Sequence, residues 1–205
     1  MLPADLDPRH GAFCEPLACT LHGVDIGAPV AGERVLVIGG GVIGLLAVQL
    51  ARLAGAEVML LTRHPGKRAL ARSLGAAETA ASREEAARVW PEGADLTLEC
   101  AGVAETVAEP PSLTRNGGRV VVLGVLAKGE TVAIEPFDLL FREVQLRFAF
   151  INPFTQGRAA GLISSGRVAV APLISRTIPL EAAAGAIAGP PMPGEVKVLV
   201  VPAGG

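Results

Sequence analysis

"VLVIGGGVIGLLAVQLA", residues 35–51, is an apolar run that three consecutive glycines divide near its start. Because such glycines break a helix, the run predicts a strand, a turn and a helix, not one membrane-spanning helix. It contains the pattern G-x-G-x-x-G, whose predicted cofactor-binding positions are Gly39, Gly41, Val42, Ile43 and Gly44. Between a strand and a helix, this pattern binds the pyrophosphate of a dinucleotide. The first glycine allows a tight turn, the second lets the phosphates approach the backbone, and the third lets the helix pack closely.

Apolar strands alternate with helical segments along most of the chain. Strands are predicted at 34–38, 57–61, 93–100, 117–125 and 144–151. Helices are predicted at about 42–54, 66–74, 104–114 and 153–166. Because alternating strands and helices build βαβ units, the pattern predicts an α/β protein with a doubly wound parallel sheet, the Rossmann fold. Short segments at both ends break this alternation, and we expect them to be left over from a second domain.

Composition narrows the classes of function. The chain has 205 residues, 50% of them hydrophobic, and a net charge of −2. That length can bury a sizeable core, and the near-neutral charge argues against nucleic acid as the main partner. Its three cysteines form no CxxC pair, so we expect no disulfide framework and a reducing, cytoplasmic setting. We also expect no membrane association.

A basic loop follows the second predicted strand, where dinucleotide-binding proteins that use NAD carry an acid for the ribose 2′-hydroxyl. Here that position is Thr62, followed by Arg63, with Lys67 and Arg68 close behind. A hydroxyl and an arginine fork suit a 2′-phosphate, whereas cations at a helix N-terminus oppose the helix dipole. We therefore predict NADP(H) in preference to NAD(H). The alternative is a solvated loop with a basic helix start.

Several motifs occur in the order and spacing of one known family. They are "EPLACTLHG", "GERVLVIGGGVIGLLAVQLARLAGAEV", "KRALARSLGA", "GADLTLECAG", "NGGRVVVLGV" and "GEVKVLVVP". Through them the chain resembles the medium-chain, zinc-dependent alcohol/polyol dehydrogenases, and "EPLACTLHG" resembles the sorbitol and threonine dehydrogenase branch. The resemblance implies hydride transfer between NADP(H) and an alcohol or carbonyl substrate that zinc polarises.

The sequence departs from the family in one respect. The GHE motif and the cysteine cluster of the GroES-like catalytic domain, which would precede Met1, are absent. The resemblance therefore implies a lead-in segment from that domain at 1–25, a dinucleotide-binding domain at 26–165 and a return segment at 166–205. Glu15 matches a glutamate at the family's catalytic zinc. Without the other ligands we expect no metal in this chain.

The resemblance also implies contacts at the ends of later strands. The implied positions are Cys100, Ala101 and Gly102 near the adenosine half of the cofactor, and Gly124, Val125, Ile151 and Asn152 near the nicotinamide. Strand 144–152 would pair with its mate in a homodimer, since an apolar sheet edge needs a cover. Two other functions stay open: a non-catalytic dinucleotide-binding module, and a zinc-free quinone or enoyl reductase, against which "EPLAC" argues.

Overall fold

The structure of the protein is a computed structural model that describes residues 6–190 and 192–202. Its strands are β1 (Arg34–Ile38), β2 (Glu57–Leu61), β3 (Glu78–Ala80), β4 (Ala94–Glu99), β5 (Thr114–Val122), β6 (Gln145–Phe148), β7 (Ile174–Ile178) and β8 (Lys197–Val200). Its α-helices are α1 (Pro8–Gly11), α2 (Cys14–Gly27), α3 (Val42–Leu53), α4 (Pro65–Ser73), α5 (Arg83–Val89), α6 (Ala104–Ala108), α7 (Pro110–Leu113), α8 (Pro136–Phe141), α9 (Gln156–Ser164) and α10 (Ala183–Ala188). Two 3-10 helices span Ala171–Leu173 and Leu180–Ala182.

Six strands form one parallel sheet in the order β3-β2-β1-β4-β5-β6. This is the strand order of the doubly wound dinucleotide-binding fold, so the predicted fold class is confirmed. The order reverses between β1 and β4, where Ile38 pairs with Glu99 on one side and with Leu61 on the other. In such sheets a crevice opens outside the carboxyl ends of the strands at the reversal. Residues that follow β1, β2, β4 and β5 therefore share this edge.

Helix α2 is longer than the short helix that the sequence predicts at "EPLACTLHG". It packs against α3 and α9, and its Leu17 and Leu21 are buried in the main hydrophobic core. Burying each leucine contributes about 1.5–3 kcal/mol, so α2 helps to hold the sheet that carries the crevice. The boundary predicted after residue 25 falls inside this helix. The division of the chain into units stays a prediction.

Some predicted elements have different bounds for identifiable reasons. The helix predicted at 104–114 is two helices, α6 and α7, because Pro110 and Pro111 lack the N–H that a continuous helix needs. β5 starts at Thr114 and stops at Val122, since the next two amides turn to the Glu99 carbonyl. β6 is shorter than the predicted 144–151, and Ile151 has φ +59°, outside the extended range.

The C-terminal segment forms its own two-stranded parallel sheet from β7 and β8. Its buried side chains include Leu173, Ile178 and Leu199. Across the described residues, no helix combines the length and the apolar character needed to cross a membrane. The apolar run that opened the sequence analysis forms β1, a turn and the 12-residue helix α3.

Candidate functional site

The turn between β1 and α3 needs glycine at two of its motif positions. Gly39 has φ +108°, and a Cβ there would lie 3.0 Å from the Ala101 nitrogen. A Cβ on Gly44 would lie only 1.8 Å from the Gly39 oxygen, so the helix approaches the turn closer than any side chain allows. At Gly41 a Cβ would meet nothing within 4 Å. The backbone there borders open space, as a pyrophosphate cradle requires.

The N-terminus of α3 points its free amides toward this space. Gly41 is the N-cap, it offers no side-chain cap, and the first turn holds no acidic residue. The first N–H groups of a helix lack internal partners and carry partial positive charge. Together with the open space at Gly41, they can bind an anion. The geometry therefore fits the phosphates of a dinucleotide.

The basic loop after β2 lies directly beside the glycine turn. A Cβ on Gly40 would lie 3.0 Å from the Thr62 hydroxyl oxygen and 3.1 Å from the Lys67 Cβ. Thr62 is buried and its amide donates to the Ala80 carbonyl at 3.0 Å. Arg63, which follows Thr62 directly, is exposed, and Lys67 is half-buried. Gly40 was not singled out from the sequence, although the run of three glycines marked it.

The cations of this loop form no ion pair with the acidic residues that the structure describes. In the described parts of the chain, no salt bridge includes Arg63, Lys67 or Arg68. Helix α4 has no acid in its first turn. Arg68 differs from the other two cations, because its Nη1 donates to the Thr62 carbonyl at 2.8 Å. It holds the loop in place, while Arg63 and Lys67 remain available for an anion.

Two further loops close the other side of the crevice. A Cβ on Gly102 would lie 2.7 Å from the Val125 nitrogen, and one on Gly124 would lie 2.3 Å from the Gly102 nitrogen. The loops after β4 and β5 therefore pack backbone to backbone, which brings together the positions predicted for the two halves of the cofactor. Burial and the neighbouring Glu99 carboxylate raise the pKa of the Cys100 thiol, so this cysteine is a poor nucleophile.

Glu99, the last residue of β4, carries bonds that sequence reasoning missed. Its side chain is fully buried, and Oε1 accepts from the Ala101 amide at 2.8 Å and the Gly102 amide at 2.9 Å. The Thr106 hydroxyl donates to the same oxygen at 2.7 Å. The available signal was a carboxylate inside the apolar strand "LTLEC", since buried charges need a structural or functional reason.

The segment after β6 reaches the N-terminus of α2. Asn152 Nδ2 donates to Cys19 Sγ at 3.5 Å, and Cys19 Sγ donates to Glu15 Oε1 at 3.1 Å. Burial, together with Glu15, raises the pKa of the Cys19 thiol to about 11. Ile151, with its left-handed backbone, stores strain, as residues at ligand sites often do. Glu15 thus lies close to a predicted nicotinamide segment.

Metal binding needs more ligands than this corner provides. Within residues 6–190 and 192–202, no group of three or more His, Cys, Asp or Glu residues could hold a metal ion. Catalytic zinc sites use three protein ligands, so Glu15 and its neighbours do not by themselves fit zinc.

The parallel sheet, its reversal point and the glycine turn define a Rossmann-type dinucleotide-binding domain. The sequence model of a family described as "Zinc-binding dehydrogenase" matches residues 42–163. The chain belongs to this zinc-dependent dehydrogenase family and corresponds to its cofactor-binding domain, as the resemblance implied.

Named relatives agree with this assignment. Sorbitol dehydrogenase of Gallus gallus is 32% identical over 194 residues, which cover 89% of this chain and 53% of the relative. L-threonine 3-dehydrogenase of Bacillus velezensis is 32% identical over 188 residues, which cover 87% of this chain and 54% of the relative. The chain thus spans about half the length of these curated relatives.

Solved structures show the same fold. A protein of Sinorhizobium meliloti 1021, described as a zinc-binding dehydrogenase and bound to NADP, is 52% identical with a TM-score of 0.94. The match covers 98% of this chain and 61% of that protein. Alcohol dehydrogenase TADH from Thermus sp. ATN1 is 29% identical with a TM-score of 0.89, over 98% of this chain and 62% of that protein.

Proposed function

We propose that this chain is the cofactor-binding portion of a zinc-type alcohol or polyol dehydrogenase, which transfers hydride between NADP(H) and an alcohol or carbonyl substrate. The observation that carries the choice of cofactor is the corner beside Gly40. There the Thr62 hydroxyl and the Lys67 Cβ both lie close to Gly40, and Arg63 follows Thr62 directly. Among the residues that the structure describes, neither cation forms a salt bridge. The NADP bound in the Sinorhizobium meliloti relative supports the same choice.

The residues of this chain bind and orient the dinucleotide. The N-terminus of α3 holds the pyrophosphate, and the corner at Thr62 and Arg63 holds the 2′-phosphate through charge-assisted hydrogen bonds. The loops that carry Val125 and Asn152 border the nicotinamide half. When bound, the dinucleotide supplies or accepts the hydride. The described residues provide no metal site of their own, so we assign them no part in polarising the substrate.

A direct titration tests the cofactor. The purified chain is titrated with NADPH and with NADH, and binding is followed by the fluorescence of the reduced nicotinamide. We expect NADPH to bind at least about tenfold more tightly, since a 2′-phosphate adds charge-assisted bonds. Equal affinity, or tighter binding of NADH, would contradict the proposal.

We also propose that the chain forms a homodimer through residues 144–152. β6 is one of the two outer strands of the sheet. Phe148 at its end and Phe150 just after it are 66% and 75% exposed. An apolar, unpaired strand edge favours pairing with a second copy. Light scattering at micromolar concentration should show a dimer, and Phe148→Lys should shift it to monomer. Phe137→Lys, which changes an exposed phenylalanine on α8, is the control. A monomeric wild-type chain would contradict the proposal.

A further inference from the structure

Glu99 is a buried carboxylate in a strand that is otherwise built for a hydrophobic core. Its side chain is fully buried, and it lies between Ile38 of β1 and Val122 of β5. Among the described residues, no salt bridge includes it. Removing a carboxylate from water costs several kcal/mol unless other groups compensate. A hydrophobic residue would fill the same space at lower cost, so Glu99 must serve something other than core packing.

The bonds of Glu99 hold two loops at once. Its Oε1 accepts hydrogen bonds from the amides of Ala101 and Gly102 and from the hydroxyl of Thr106. These bonds fix the loop between β4 and α6. Its backbone carbonyl accepts hydrogen bonds from the amides of Leu123 at 2.9 Å and Gly124 at 3.1 Å. One residue therefore sets the backbone on both loops that border the crevice beyond β4 and β5.

The second carboxylate oxygen fixes how closely these loops approach. Oε2 is buried and has no hydrogen-bond partner among the described residues, and a Cβ on Gly124 would lie 2.3 Å from it. The glycine thus leaves the room that Oε2 occupies. On the other side, the Ala101 Cβ would lie 3.1 Å from a Cβ on Gly39. The loop that Glu99 holds is therefore packed between the glycine turn and the loop after β5.

The two mononucleotide halves of a dinucleotide lie on opposite sides of the reversal point in a doubly wound sheet. The basic corner at the end of β2 suits the adenosine side, and the loops after β4 and β5 follow strands on the other side of the reversal point. The strand order therefore favours the nicotinamide side for the loop of Ala101 and Gly102, for which the resemblance implied the adenosine side. We infer that Glu99 is a positioning residue that pre-forms these loops for the nicotinamide half of NADP(H), an inference that rests on the proposed function. A backbone already fixed in the bound conformation loses less entropy on binding.

The test compares a whole cofactor with a fragment in Glu99→Gln. Glutamine preserves the volume and one acceptor oxygen, but it puts an NH₂ group either against the three donors or against Gly124. We expect NADPH to bind about tenfold more weakly. Adenosine 2′,5′-bisphosphate, which lacks the nicotinamide half, should bind within about twofold of wild type, since its contacts lie on the β2 side.

A milder pair of variants tests the same point if Glu99→Gln does not fold. Thr106→Val removes one donor from Oε1 and keeps the shape of the side chain, so NADPH binding should fall about threefold. Thr106→Ser keeps the hydroxyl and should bind NADPH like wild type. Neither substitution should change the affinity for adenosine 2′,5′-bisphosphate.

The outcomes separate the inference from the proposed function. If the wild-type chain binds neither ligand, the proposed function fails and this inference with it. If the wild-type chain binds both ligands, but the variants lower the two affinities equally or lower neither, Glu99 has only a general structural role. In that case the inference alone fails. A lower affinity for NADPH, with an unchanged affinity for adenosine 2′,5′-bisphosphate, supports the inference.

Discussion

At the amino ends of the central strands, cations pair with carboxylates of the same chain, whereas at the carboxyl ends they do not. Near the amino ends, Arg119 is 14% exposed and its Nη2 lies 2.6 Å from Glu33 Oε2. Arg119 also donates to the carbonyls of Gly27 and Ala28 at the end of α2. Asp95 accepts from Arg115 Nε at 2.5 Å. Both arginines therefore pair with a carboxylate of the same chain.

The carboxyl ends present the opposite arrangement. There Arg63 and Lys67 form no salt bridge, and the buried Glu99 has no cation partner, as far as the described residues extend. The difference indicates where a ligand belongs. Charges that are paired within the chain contribute to stability, whereas unpaired charges at a crevice are available to a partner of opposite sign.

The largest effect, on both stability and cofactor binding, should come from a side chain placed at Gly44, where α3 packs against the glycine turn. Gly44→Ala would place a Cβ 1.8 Å from the Gly39 oxygen, so the main chain must move. We expect the free energy of unfolding to fall by roughly 3 kcal/mol or more, and dinucleotide binding to be lost. Chemical denaturation and the NADPH titration measure the two effects.

The control for this change is a glycine with free space around it. Gly161 lies on α9, and a Cβ there would meet nothing within 4 Å. Gly161→Ala should therefore leave binding unchanged and raise the free energy of unfolding by about 0.5–1 kcal/mol. If Gly44→Ala behaved like this control, the close approach at the turn would not matter.

The next effect tests the paired end of the sheet. Arg119→Ala would leave Glu33 poorly exposed and unpaired, and would remove donors from two carbonyls of the α2 terminus. We expect the free energy of unfolding to fall by roughly 2–3 kcal/mol, with the ratio of NADPH to NADH affinity unchanged. Arg167→Ala, at an exposed position, should do neither. If Arg119→Ala changed the ratio of NADPH to NADH affinity, the distinction between the amino and carboxyl ends of the sheet would be wrong.

The smallest effect is the acid dependence of the same pair. The hydrogen bond from Arg119 lowers the pKa of Glu33 below its ordinary value of 4.5. Because the folded pKa is the lower one, this stability is fully present above pH 4.5 and is lost as pH falls through the folded pKa. Denaturation curves between neutral and acid pH should show the loss in wild type, and a shallower one in Glu33→Gln. Parallel curves for the two proteins would contradict it.

Local patterns predicted much of the fold and part of the site. Each strand or helix can be predicted from the hydrophobic periodicity of its own segment. The spacing from Gly44 predicts that Thr62 and Arg63 lie at the end of β2. β3 was missed because three residues give too short a pattern. The bonds of Glu99 and Arg119 were missed for a different reason. Arg119 and Glu33 are 86 residues apart in sequence, and only strand register brings them together.

The central claim is that the corner after β2 recognises a 2′-phosphate, and four dissociation constants test it most directly. Wild type and Arg63→Ala are each titrated with NADPH and NADH, and Arg72→Ala, an exposed arginine in the last turn of α4, is the charge-matched control. We expect Arg63→Ala to weaken NADPH about tenfold or more and NADH by less than about twofold. Arg72→Ala should change neither. Equal loss for both cofactors in Arg63→Ala would contradict the claim.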